Sequence, residues 1–144
     1  MTRPSARPSA TAEISESAVR HAVALARCLG AKLHALSVSD PFPFYAVSEI
    51  QTAAPQEFLE AQQRMASARV QKVAEACAAA GVECETHTAE AAHPWEGIID
   101  AAQRHQCDLI VMASHGRRGV TALLLGSETQ KVLTHTQTPV LVVR

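Results

Sequence analysis

Residues 108–113 read DLIVMA, an almost unbroken apolar run of strand length. Such a run fits a strand covered on both faces, the arrangement that helices impose on a parallel sheet. It constrains the rest of the chain, because parallel neighbours require long crossover connections. The sequence supplies them. Ile14, Ala18, Ala22, Leu25, Ala26 and Leu29 fall on one face at helical spacing, and Gly30 stands where a left-handed cap belongs. Residues 32–38, KLHALSV, follow as a strand. Pro55 suits the first turn of a longer helix whose stripe is Leu59, Ala66, Val70, Val73 and Cys77, closed by Gly81. Residues 82–88, VECETHT, alternate as a half-exposed strand near a sheet edge, and Pro94 opens a third helix carrying Ile98, Ile99 and Ala102. Residues 127–135 predict a last helix, and residues 138–143, TPVLVV, a last strand. The order α-β-α-β-α-β-α-β implies an α/β fold with an open parallel sheet and helices on both faces. The pattern opens on a helix, not on a strand.

Composition narrows the classes. The chain has 144 residues, 47% apolar and 19% charged, which suits one globular domain. Aromatics are only 3%, so the core must be aliphatic. The net charge of −1 lacks the basic surplus of a protein that grips nucleic acid by its phosphates, and no such partner is expected. No apolar run approaches the ~18 residues needed to span a membrane, so no membrane partner is expected and a cytoplasmic location is. Cys28, Cys77, Cys84 and Cys107 lie far apart without a C-x-x-C pair, and are expected to be free thiols of a reducing compartment. Residues 1–12, broken by Pro4 and Pro8, read as a disordered tail, with the domain spanning 13–144. Arg3 and Arg7 ahead of any acid give a faint transit-peptide pattern, which the prolines weaken.

Chemistry concentrates in residues 108–127, DLIVMASHGRRGVTALLLGS. A buried strand runs into a loop bearing Gly116, Gly119 and Gly126, and a helix starts at Ser127. Glycines let backbone approach phosphates closely, while a helix start offers unpaired N–H groups and the positive end of a dipole. The Ser127 hydroxyl adds a donor, and Arg117 and Arg118 point to outer phosphates or to solvent. A tight turn leading into an ordinary helix would account for the glycines alone.

The whole stretch resembles the universal stress protein family, whose nucleotide-binding members carry G-x2-G-x9-G-[S/T] after the fourth strand. Ala113, Gly116, Gly126 and Ser127 occupy those positions, Ala113 replacing the first glycine. Alanine adds one methyl, which a backbone of negative φ tolerates. The resemblance extends over residues 13–144, including the segment HPWEGIIDAAQRHQCDLIVMASHGRRG and the ending GSETQKVLTHTQTPVLVVR. It implies a Rossmann-like sheet of strand order 3-2-1-4-5 and a homodimer through residues 138–143. It also implies ATP or AMP as ligand, with Mg2+ accompanying the nucleotide. Val38 would line the adenine, Met112 and Ala113 would flank base and ribose, and Gly116, Gly126, Ser127 and Thr129 would hold the phosphates. Family members begin with a strand ending in a motif like V-P-x-D-G-S. Here Ala10, Thr11 and Ala12 stand in place of Asp-Gly-Ser, so the first and central strand is expected to be missing and the sheet thinned there.

Other constellations carry less. The seven histidines (His21, His34, His87, His93, His105, His115, His135) show no H-x-x-x-H spacing, and no metal site is expected from them. Ser114–His115 lacks a G-x-S-x-G elbow, so no catalytic residue is expected. Phe42, Phe44 and Tyr45 form a loop cluster that packs on its own domain, flaps over the pocket or meets a partner; Trp95 reads as an anchor at a helix start. Three functions follow: a nucleotide-binding regulator of the stress response, a family member acting through protein contacts alone, or a hydrolase. The last is least expected, since no carboxylate in the glycine loop is placed to hold Mg2+ or orient water, leaving weak ATP hydrolysis at most.

Overall fold

The computed structural model describes residues 15–39, 56–114 and 125–144. Helix α1 spans Glu16–Leu29, and its end points are chemically explicit. The Ser15 hydroxyl accepts from the Ala18 amide at 3.0 Å, and Gly30 takes φ 60, the left-handed cap that its lack of a Cβ permits. Strand β1 is Leu33–Ser39, α2 is Gln56–Ala80, β2 is Cys84–Glu90 and α3 is Pro94–Arg104. Strand β3 (Ile110–Ala113), helix α4 (Ser127–His135) and strand β4 (Val140–Val143) complete the order, matching the predicted alternation to within two residues at the strand ends.

The sheet is in two parts. β1 pairs in parallel with β2, from Leu33 opposite Cys84 to Ser39 opposite Glu90. β3 pairs in parallel with β4, from Ile110 opposite Val140 to Ala113 opposite Val143. These are the outer neighbours of the order 3-2-1-4-5, and among the described residues no strand stands between them. Residues 1–14, including Ala10, Thr11 and Ala12, lie outside the described residues, as do Phe42, Phe44 and Tyr45.

Strand alternation sorts the core into two layers. Leu33, Ala35, Val111 and Val143 point one way and are covered by Ala18, Ala22 and Ala26 of α1 and by Val70, Val73 and Cys77 of α2. Leu36, Val38, Ile110 and Met112 point the other way, against Ile98 and Ala102 of α3 and Val132 of α4. Two residues of the predicted stripes stay outside: Leu29 is 46% exposed and Leu59 is 45% exposed. The cause for Leu59 is length. A helix of 25 residues runs about 37 Å, whereas a strand of seven covers about 23 Å, so the first turns of α2 overhang the sheet.

Gly97 brings α3 close to the end of β1. A Cβ there would meet both methyls of Val38 at 3.2 Å and the Ala91 Cβ at 3.4 Å. Replacing Gly97 with Val should therefore lower the thermal midpoint, by the equivalent of about 1–3 kcal/mol from overpacking. An unchanged midpoint in scanning calorimetry would show that α3 can move off the strand without cost.

Candidate functional site

The C-terminal ends of β1 and β3 face the space between the two strand pairs. Ladder bonds alternate along a strand, so the side on which each peptide points follows from the bonds observed. Leu33 N–H donates to Glu83 O, which puts the even-numbered peptides of β1, Leu36 and Val38 among them, toward the gap. Ile110 N–H donates to Pro139 O and Ser114 N–H to Val143 O, which puts Val111 and Ala113 toward it from the other side. The side chains of Val38 and Met112 are buried in one core cluster, at 2% and 1% exposure, and the Met112 peptide groups turn toward β4, so of the two only Val38 presents its backbone to the gap.

The start of α4 is tied to the end of β3. Gly126 N–H donates to Ser114 O at 2.7 Å, and the Thr129 hydroxyl donates to Ala113 O at 3.1 Å with Ser114 O at 3.4 Å. Thr129 is 2% exposed, and its proton is committed to these carbonyls. It positions the helix start beneath the strand end. Ser127 is the first residue of α4 and Gly126 its N-cap, with φ −60 and ψ 152, a conformation open to any residue. Gly116, Arg117 and Arg118 lie outside the described residues. The structure thus brings Ala113, Gly126, Ser127 and Thr129 into one corner, with Val38 across the gap.

Glu128 holds this corner against α3. Its Oε2 accepts the Trp95 backbone N–H at 2.8 Å, one of the unpaired donors at the start of α3. The Trp95 ring stacks on His135 with centroids 4.4 Å apart, so the predicted anchor at a helix start is an anchor between two helices.

At the opposite ends of the strands a second group assembles. His34 Nδ1 lies 2.9 Å from His87 Nε2, and the Glu85 Oε2 lies 3.6 Å from the first and 3.8 Å from the second. The His105 ring stacks on both, at 4.7 Å from His34 and 4.1 Å from His87. Burial holds the His87 pKa below its ordinary value, and the nearby His105 adds to this. Lys32 hydrogen-bonds the other Glu85 oxygen and thereby holds that carboxyl below its ordinary range. Spacing along the chain does not reveal this group, because its members come from β1, β2 and the residue that caps α3. The one local signal is the alternation E-T-H at 85–87, which sets Glu85 and His87 on one face of a strand.

Comparison with known proteins places this geometry. The family model described as the universal stress protein family matches residues 11–144. A universal stress protein of Methanocaldococcus jannaschii is 32% identical over 138 residues, covering 95% of this chain and 79% of the relative. The structure of the universal stress protein UspA from Lactobacillus plantarum superposes with a TM-score of 0.73 at 24% identity, over 95% of this chain and 97% of that one. A universal stress protein solved in complex with cAMP superposes with a TM-score of 0.69 at 25% identity, over 96% and 97%.

Thr129 gives the corner its sharpest test. Thr129→Val keeps the shape and deletes the donor to Ala113 O and Ser114 O, so stability should fall by about 1–2 kcal/mol in urea unfolding. A variant as stable as the parent would mean that the helix start is held by the Gly126 amide alone.

Proposed function

The chain belongs to the universal stress protein family, and from that premise we propose that it binds an adenine nucleotide at the C-terminal ends of β1 and β3 and acts by regulation, not by catalysis. The observation that carries this reading is the convergence of Ala113, Gly126 and Ser127 at the start of α4, facing Val38 across the strand gap. Open α/β sheets bind ligands at the C-terminal ends of strands, and here those ends meet a helix N-terminus. The backbone edges of Val38 and Ala113 suit the flat edges of a base and its ribose, and the buried Met112 side chain backs them from the core. Gly126, Ser127 and Gly116 supply the phosphate cradle, and Thr129 fixes its floor. The relative solved with cAMP supports adenine as the base. ATP or AMP is the proposed ligand, with Mg2+ arriving on the phosphates and not on a dedicated protein site. The size, the family and the lack, among the described residues, of any helix long and apolar enough to cross a membrane support a cytoplasmic regulator of the stress response.

A second reading has its own observation. Ala10 stands where the family carries an aspartate, and a lost hydrogen bond to a charged group lowers affinity by about 1.5–3 kcal/mol, or one to two decades. A chain so weakened could work through protein contacts alone. Titration calorimetry with ATP, AMP and cAMP separates the two readings. Gly126→Val should reduce nucleotide affinity at least about tenfold while leaving the fold intact, because φ −60 does not demand glycine and only close phosphate approach does. Equal affinity in the variant would place the ligand elsewhere.

Assembly follows from β4. Val140, Leu141 and Val142 are only half-buried, and among the described residues the outer edge of β4 has no neighbouring strand. An apolar edge of this kind recruits a second copy. Residues 138–143 are the proposed homodimer seam. Val142→Lys should convert the dimer to monomer in sedimentation velocity, and a dimer surviving that change would have its contact on another surface.

A further inference from the structure

We propose that His34, Glu85, His87 and His105 form a binding site for one divalent transition-metal ion, for which Zn2+ is the fitting representative. One ligand atom from each of the four lies within 4.8 Å of all the others. Zinc bound at about 2.0–2.2 Å in tetrahedral geometry sets its ligand atoms about 3.3–3.5 Å apart. The separations of 2.9, 3.6 and 3.8 Å among His34, His87 and Glu85 bracket that value. The rings are now stacked, with interplanar angles of 13° to 25°, and the ion would require their lone pairs to converge by rotation about the Cβ–Cγ bonds.

The donor set selects the ion. Three imidazoles and one carboxylate suit a borderline ion such as Zn2+, Ni2+ or Cu2+, whereas Ca2+ and Mg2+ require oxygen ligands. A soft thiolate is kept out, because Cys84 points to the other face of β2 from Glu85 and His87. Its sulfur belongs with the layer under α1 and α2. The strand register makes the placement firm: His34 is opposite Glu85, and Leu36 is opposite His87. Two ladder-paired strands therefore hold three of the ligands on a rigid surface, and α3 delivers the fourth.

The surroundings meet the remaining requirements of a metal site. Lys32 grips one Glu85 oxygen and leaves Oε2 aimed at the rings, the kind of outer hydrogen bond that fixes a ligating carboxylate. Access is open too. A cleft of about 460 Å³ between β2 and α3 is lined by His87 and His105 and bordered by Glu90 and Glu96, whose charge favours cation entry, and by an Asp100–Arg104 ion pair.

The test uses the full chain, stripped with a chelator and titrated with ZnCl2 in a calorimeter. One equivalent should bind, and the melting temperature should rise with the ion present. His87→Ala and His105→Ala should each weaken binding at least about 100-fold, whereas His93→Ala and Cys28→Ser, outside the group, should leave it unchanged. Nitrogen-15 NMR of the imidazoles gives an independent readout on the parent chain, since only His34, His87 and His105 should shift at one equivalent. Absence of a stoichiometric site, tight binding retained in the His87→Ala and His105→Ala variants, or NMR shifts confined to other histidines would overturn the proposal. The first outcome would leave the group as a hydrogen-bonded histidine stack.

Discussion

Lateral side-chain packing joins two strand pairs that share no backbone ladder among the described residues, and the rest of the structure depends on it. In an unbroken parallel sheet, hydrogen bonds run across the whole width. Among the described residues, β1 and β3 meet only through what lies above and below them. On one side Ala18, Ala22 and Ala26 let α1 settle close to Leu33 and Ala35 of one pair and to Val111 and Val143 of the other. On the other side Ile98, fully buried, lies in the same cluster as Leu36 and Val38 of β1 and Ile110 and Met112 of β3. Small residues on α1 and branched ones on α3 are thus complementary. One helix approaches closely and the other reaches across.

The same gap borders the corner at the start of α4. Peptide groups of Val38 and Ala113 point into it, and a buried peptide group left without a partner costs about 1–3 kcal/mol. Ala113 O is answered by the Thr129 hydroxyl. Polar edges that bind a base are the edges that a central strand would otherwise occupy in part, so strand and ligand draw on neighbouring groups. Chemistry at this corner rests on backbone direction. Ala113, which stands in place of the first glycine of the loop motif, has its carbonyl engaged by Thr129.

Legibility in the sequence followed the range of the interaction. Gly30 and Gly81 marked helix ends because a left-handed residue is a local demand, and both take positive φ. The run at 108–113 announced a strand covered on both sides, and Val111 and Met112 are each 1% exposed, on opposite faces. Periodicity did not reveal that Leu59 stays exposed, because its exposure depends on how far α2 outruns its sheet. The role of Glu128 was equally hidden. An acid in the first turn of α4, it accepts from an amide 33 residues away, a contact that no local pattern encodes. The histidine group was the least visible of all, since it exists only once β1 and β2 are in register.

α3 connects these two centres mechanically. From Gly97 to His105 it rises about 12 Å, and from His34 to Val38 β1 rises about 13 Å, so helix and strand segment are matched in length. Gly97 therefore sits on Val38 at the C-terminal end of β1, while His105 sits on His34 at the other. α3 lies close enough to β1 at Gly97 that an added Cβ would meet Val38 at 3.2 Å, so a shift of the helix along its axis changes its fit on Val38 as well as on His34. If the proposed ion and the proposed nucleotide both bias this helix, linkage makes their coupling reciprocal: whatever factor the ion imposes on nucleotide affinity, the nucleotide imposes on the ion. The sign depends on direction. A pull that seats α3 more firmly on Val38 tightens the floor of the base position, and a pull that lifts it loosens that floor.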